Sequence, residues 1–341
     1  MTADQLHVGG KEVGLHGCVV NPDFRAPRVL SSDPWDFVSL WLKRESRSNA
    51  RFYWDQAKEF YNASSQLPGL SAPLTYYYCF LNATKALLAA KGIDFKESHG
   101  VGGRSSGRTK SLGNEIVDFR GSGILPALCD YLSEYRNEGK SLSMKQLMWE
   151  MPFIHRAYKL TFRSETELFI PLVNCQFIRR RGSREAWFQA ELHRKYLNAH
   201  TSKVIRPGFE LREEGGKVLI RRRRRFRWHG HDIEGSLDQF RKYHRQIRRR
   251  IAPIYTNENR WYLKKTVKGG SELNNSQLVL IYACMHRLSE LSRYEPMTLD
   301  RHFSLNHNWL ISEFIRGAPG QFVHGMASEI TGLEFIRPDS F

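Results

Sequence analysis

The chain offers few of the spacings that announce a known chemistry. It has five cysteines, Cys18, Cys79, Cys129, Cys175 and Cys284, odd in number and far apart. None forms a CxxC pair or stands at zinc-finger spacing from histidine, so a structural zinc site and a disulfide framework are both disfavoured. Reduced, buried thiols of a cytoplasmic protein are the expectation. No run of about 18 or more apolar residues occurs, so no transmembrane helix and no membrane partner are expected. The opening residues lack a charged stretch followed by an apolar one, so no secretory signal is expected either. HExxH, GxSxG and an EF-hand loop are absent. The carboxylates are scattered, and no cluster points to a metal site or a cofactor. There is no internal repeat, and no low-complexity stretch beyond a run of arginines.

What is present is an ordinary globular composition with one unusual number. Hydrophobic residues make up 41% and charged residues 26%, so a core can be buried and disorder is disfavoured. Lys and Arg number 52 against 35 Asp and Glu, a formal charge of +17. Residues 176–270 hold 26 basic and 9 acidic side chains, and the rest of the chain holds 26 of each sign. The surplus is therefore local, which suggests a polyanionic partner.

Hydrophobic periodicity divides the chain into three parts. Residues 1–30 lack periodicity and predict an irregular arm with a short strand over 17–20. Ser32 or Asp33 can cap a helix with Pro34 in its first turn, running to about residue 47 with Phe37, Leu40 and Trp41 inward. Further helices are expected over 49–66 and 72–90, joined as an antiparallel hairpin after Pro68-Gly69. Residues 93–123, with seven glycines, read as loop. Helical pattern returns at 124–136 and 144–149. The segments 167–181 and 204–228 read as strands, with a hairpin turn at Glu213-Glu214-Gly215-Gly216. A basic helix over 236–251, a strand near 261–263, and helices from 276, over 305–316 and over 320–330 complete the pattern. The expected fold class is α+β, mostly helical. Helical parts over 1–160 and 271–341 pack together, with a basic strand-rich segment over 161–270 between them.

The basic segment can be read as a device. On a strand, Arg221, Arg223, Arg225 and Arg227 would share one face about 20 Å long, comparable with successive phosphates of a nucleic-acid strand. Arg222 and Arg224 interrupt the opposite face, where Val218, Ile220, Phe226 and Trp228 can pack inward. On the following helix Phe240, Tyr243, Ile247 and Ile251 form an inward stripe, leaving Arg241, Arg245, Arg248 and Arg249 outward. Trp228, His229, His231 and Trp261 are candidates for base stacking. A predominance of arginine suits bidentate phosphate contacts.

Candidates for chemistry are sparser. The glycine-rich stretch 98–108 could cradle a phosphate through backbone N–H groups, but it lacks Walker A order. His99 is its one acid–base candidate. Arg194 and His200 would lie on one side of a helix, where Arg can hold a phosphate while His shuttles a proton. A strand at 194–200 fits equally well and would part them. His286, Arg293, Arg301 and His302 form a second loose set.

Three stretches together resemble the YaaC-like family of bacterial proteins. They are Ala50-Arg51-Phe52-Tyr53-Trp54-Asp55-Gln56-Ala57 with Phe60-Tyr61; Pro73-Leu74 with Tyr76-Tyr77-Tyr78 and Leu81-Asn82-Ala83-Thr84-Lys85-Ala86-Leu87-Leu88; and Leu288-Ser289-Glu290-Leu291-Ser292-Arg293-Tyr294-Glu295-Pro296. The resemblance implies a bacterial cytosolic protein and carries no reaction with it. More weakly, the helix pair at 50–91 resembles the hairpin of HEPN domains, many of which are metal-independent ribonucleases of defence systems. Their Arg–His motif lies on a late helix, whereas 194–200 falls in the strand-rich middle and Pro296 interrupts Arg293 to His302. The expected function is a nucleic-acid-binding component of a bacterial defence or RNA-related complex, holding the phosphate backbone of DNA or RNA. A HEPN-like endoribonuclease and an interaction module for an acidic protein partner are the alternatives.

Overall fold

The computed structural model describes residues 3–31, 33–107, 110–196, 205, 208–230, 233–256, 260–267 and 273–336. Short strands β1 (Ala3–Gln5), β2 (His7–Val8), β3 (Lys11–Glu12) and β4 (Val29–Leu30) lead into helices α1 (Pro34–Arg44), α2 (Ser48–Ser65) and α3 (Ala72–Ala90). Then come β5 (Val101–Ser105), β6 (Glu115–Phe119), α4 (Ile124–Leu132), β7 (Ser141–Ser143), α5 (Met144–Trp149) and α6 (His155–Thr161). The middle holds β8 (Phe169–Arg180), β9 (Glu185–Leu192), β10 (Phe209–Glu214), β11 (Lys217–Arg222), β12 (Phe226–Arg227), α7 (Ile233–Arg248), β13 (Ile251–Ile254) and β14 (Arg260–Lys264). The chain finishes with α8 (Gln277–Tyr294), α9 (Pro296–Phe303), α10 (Asn308–Thr331) and β15 (Phe335–Ile336). The class is α+β.

Local chemistry explains most boundaries. Asp33 caps α1 by accepting from the Trp35 N–H at 2.8 Å, with Pro34 opening the helix. The buried stripe of α1 is Trp35, Val38 and Leu42; Leu40 is exposed, so the expected face was off by a fraction of a turn. Helix α3 is buried nearly all round because α2, α8 and α10 surround it. Pro319 sits inside α10, which is one helix where two were expected. The arm has no strand at 17–20; its pairing comes from β1, β2 and β3.

The glycine-rich stretch is not a phosphate loop. Residues 101–105 form β5, paired antiparallel with β6, which in turn pairs with β7. The glycines admit close neighbours: a Cβ on Gly103 would stand 2.3 Å from Glu290 Oε2 and 2.5 Å from Arg287 Cδ.

The buried side chains form two clusters. One joins α1–α6 with α8–α10. The other joins a large antiparallel sheet, α7 and the arm residues Leu6, Val8, Val13 and Leu15. Strand order in that sheet is β10-β11-β9-β8-β14-β13, with β1 on β8 and β12 on β9. Phe240, Tyr243 and Ile247 of α7 press on Phe177 and Phe226 of the sheet. The β10–β11 turn uses Gly215 and Gly216, both at positive φ, as a two-residue hairpin requires.

The arm ties the two clusters together. The N–H groups of Val19 and Val20 donate to the buried Glu329 carboxylate of α10, which also accepts from the Tyr131 hydroxyl at 3.0 Å. The His16 N–H donates to His244 Nε2 of α7 at 3.1 Å, and the Cys18 N–H to His16 Nδ1 at 3.0 Å. Both imidazoles therefore act as acceptors and must be neutral.

Burial enforces that neutrality. It holds the pKa of His16 and His307 down to about 4, that of His286 to about 3, and that of His244 well below 6.5. The unfolded chain binds these protons more readily, so their stabilisation is full above the ordinary value of 6.5 and is lost as pH falls toward about 4. Burial raises Glu134 to about 7 and also raises Glu290, which work in the opposite direction but are two groups against four histidines. The thermal midpoint is expected to fall between about pH 7.5 and about pH 5; a midpoint constant over that range, followed by circular dichroism, contradicts the reading.

Candidate nucleic-acid interface

Strand β11 ends at Arg222, and the ladder resumes only at Phe226. The continuous strand expected across 217–228 is thus broken, and Arg221, Arg223, Arg225 and Arg227 share no single face. Val218, Ile220, Phe226 and Trp228 are buried, as expected.

Two of these arginines serve the fold. Arg221 is buried, donating to Gln189 Oε1 at 2.6 Å and pairing with Glu214 at 2.7 Å. Arg225 pairs with Glu210 at 3.2 Å and lies over the Trp187 ring. Arg223 is exposed and donates to the Phe209 carbonyl through Nε only. Arg224 and Arg227 are exposed, with no carboxylate pairing either among the described residues.

Helix α7 divides in the same way. Phe240, Tyr243 and Ile247 form its apolar stripe as expected, but the helix ends at Arg248 and Ile251 opens β13 instead, and most of the arginine row is turned onto the arm. Arg245 donates to the Val20 carbonyl at 2.8 Å; Arg248 donates to the His16 and Gly17 carbonyls and covers Trp261. Arg241 pairs with Asp238. Only Arg249 stands exposed, with one bond to the Ser133 carbonyl at 3.2 Å. Trp228 and Trp261 are buried in the sheet's core and are not available for stacking. His231 lies outside the described residues.

The exposed and half-buried remainder converges. Arg222, Arg224, Arg249 and Arg250 line a groove of about 530 Å³, closed on the helical side by Ser133, Glu134, Tyr135 and Asn274. Arg222 is half-buried and lies over the Phe209 ring, and its Nε is buried without a hydrogen-bond acceptor. Burial, with the neighbouring charge of Arg224, pulls its pKa down. Gly208 leaves room for it: a Cβ there would meet Arg222 at 2.6 Å. The carboxylate of the groove, Glu134, accepts from the Ser276 N–H at 2.8 Å and is raised to about 7 by burial, so it offers only partial charge at neutral pH.

Of the acid–base candidates, His99 and His286 are brought together, their rings 5.4 Å apart and both against Tyr77, whereas Arg194 is placed elsewhere. Arg194 sits in a 3-10 turn, Arg194–Tyr196, and donates to the Gly216 carbonyl of the β10–β11 turn. His200 lies outside the described residues. His99 is exposed beside α3, 2.6 Å from the Tyr77 hydroxyl. An Arg–His pair on a late helix, as the HEPN likeness implied, does not include Arg194.

The sequence also hid a buried network. Arg287 of α8, 2% exposed, meets Glu115 at 2.8 Å, Glu295 at 3.1 Å and Glu290 at 3.3 Å. Glu115 continues to His302 Nε2 at 2.8 Å, and His302 Nδ1 to His307 at 2.7 Å. Burial would raise the Glu115 pKa, but the bonds from His302 and Arg287 prevail and hold it low. Glu115 stands alone in the sequence, so no spacing could have found this chain. Of the second loose set, His286 and His302 are buried.

These placements separate structural from available arginines. Arg221→Ala is expected to cost about 1–2 kcal/mol of stability by removing a buried guanidinium from Gln189 and from the Trp187 ring, and Arg224→Ala less than about 0.5 kcal/mol. Urea unfolding checks both; equal losses would contradict the assignment.

No curated protein and no solved structure matches the chain significantly. A family model described as YaaC-like Protein matches residues 27–330 of the 341, running through the basic middle as well as the helical parts. The chain therefore belongs to the YaaC-like family.

Proposed function

We propose that this protein binds nucleic acid through its phosphate backbone. The neutral helical parts from both ends of the chain serve as a frame, and the basic strand-rich middle carries the contacts. The observation behind this reading is the groove, where Arg222 and Arg224 have no ion-pair partner among the described residues and Arg249 and Arg250 add to the same field. A half-buried guanidinium without a carboxylate is costly in the free protein and favourable once an anion enters. Arg223 and Arg227 extend the positive surface. Arg221, Arg225, Arg241, Arg245, Arg248 and Arg250 are excluded as principal contacts because the fold already uses them, Arg250 donating to the Lys264 carbonyl at 3.1 Å and to Thr266 Oγ1 at 2.8 Å.

Five contacts, Arg222, Arg223, Arg224, Arg227 and Arg249, give an expected slope of log K against log[salt] of about −3.5 on single strands and about −4.5 on duplex DNA. The charge reversals Arg224→Glu and Arg249→Glu together should weaken binding at least about tenfold. Fluorescence anisotropy across a salt series checks both. A flat salt response, or reversal variants that bind as the wild type does, would sink the reading. Nuclease-resistant co-purification of one acidic protein would instead favour a protein ligand.

A further inference from the structure

The groove has an aromatic wall that its arginines alone do not explain. Tyr135 lies on its rim and is 72% exposed. It follows α4, 86 residues before Arg221 in sequence, so the fold and not the chain order brings it to the basic groove. Its backbone is held in place. The Asn275 amide donates to the Tyr135 carbonyl at 2.8 Å, and Arg249 reaches across to the carbonyl of Ser133. Ser133 and Asn137, on either side, are both at positive φ, so the loop has a defined and unusual shape. Tyr135 is thus carried by a fixed loop on the same groove that Arg222, Arg224 and Arg249 line.

We infer that the groove seats one nucleotide with an unpaired base, its phosphate held by Arg222 and Arg224 with Arg249 beside them, and its base stacked on Tyr135. This rests on the nucleic-acid reading above and narrows it to single strands. The groove has the size of a single-ligand site. An aromatic ring beside a phosphate cradle can stack only on a base that is free of its partner strand. In a duplex the base faces are already covered by their neighbours, so Tyr135 would contribute nothing. Asn274, exposed at the same rim, offers a donor and an acceptor to a base edge. The same chemistry, a phosphate joined to an exposed base, is met by a free nucleotide or by one unit within a strand.

Anisotropy with a labelled single-stranded oligouridylate and with a duplex of equal length tests the inference, using the full chain and the variants Tyr135→Ala and Tyr135→Phe. Tyr135 is exposed, so neither variant should impair folding. Tyr135→Ala is expected to weaken single-strand binding about tenfold and leave duplex binding unchanged, while Tyr135→Phe retains wild-type affinity. Competition by uridine monophosphate and by inorganic phosphate identifies the source. The inference holds if the monophosphate competes better than phosphate, or if only longer strands compete. It fails if phosphate competes equally well. Unchanged single-strand affinity in Tyr135→Ala, with salt-dependent binding intact, overturns the stacking seat and leaves the broader reading standing. Absence of binding to either nucleic acid overturns both.

Discussion

A guanidinium removed from water must find negative charge or hydrogen-bond acceptors, and this chain answers that requirement in two opposite ways. Arg287, fully buried between α8, β5 and β6, is met by Glu115, Glu290 and Glu295, with Ser105 at 2.9 Å as a further acceptor. Arg222, half-buried at the end of β11, is met by an aromatic face and by the like charge of Arg224. The first arrangement is complete and locks the helical part to its small sheet. The second is incomplete in the free protein and gives the basic middle its capacity to hold an anion.

The fold produces this contrast by distributing its arginines unevenly. Those that can reach backbone carbonyls or carboxylates do so: Arg245 and Arg248 hold the arm, while Arg221 and Arg225 flank Trp187. In exchange the arm ties α7 to α10 through His244 and Glu329, which brings the two cores together. The seam between them places Arg249 and Arg250 opposite the loop after α4. The groove is therefore a consequence of how the cores meet, and its charge comes from the arginines that meeting leaves over.

Much of the fold was legible in the sequence because it rests on local chemistry. The Asp33-Pro34 start of α1, the limits of α3 and the Gly215-Gly216 hairpin all follow from caps, breakers and turn residues. Strand β5 was hidden because Gly102 and Gly103 serve close packing, Gly103 against Glu290 and Arg287, a tertiary demand that looks like a loop in sequence. Strand β9 passed unread for a similar reason: it pairs with β8, β11 and β12, and its neighbours define it. The location of the charge was legible, but its use was not. An arginine that holds a carbonyl of the arm and one that faces solvent look alike in a row such as Arg245, Arg248 and Arg249. Tyr135 could not be found from charge, since it lies in the electrically neutral part of the chain.

The central claim is that Arg222 is kept at a cost to the free protein because it holds an anion. Arg222→Met preserves the aliphatic packing over Phe209 and removes the charge. Measuring the thermal midpoint and the oligonucleotide affinity of this one variant side by side tests the claim directly. The account predicts a higher midpoint together with weaker binding. A lower midpoint with unchanged affinity would show that Arg222 is a structural residue and would contradict the account.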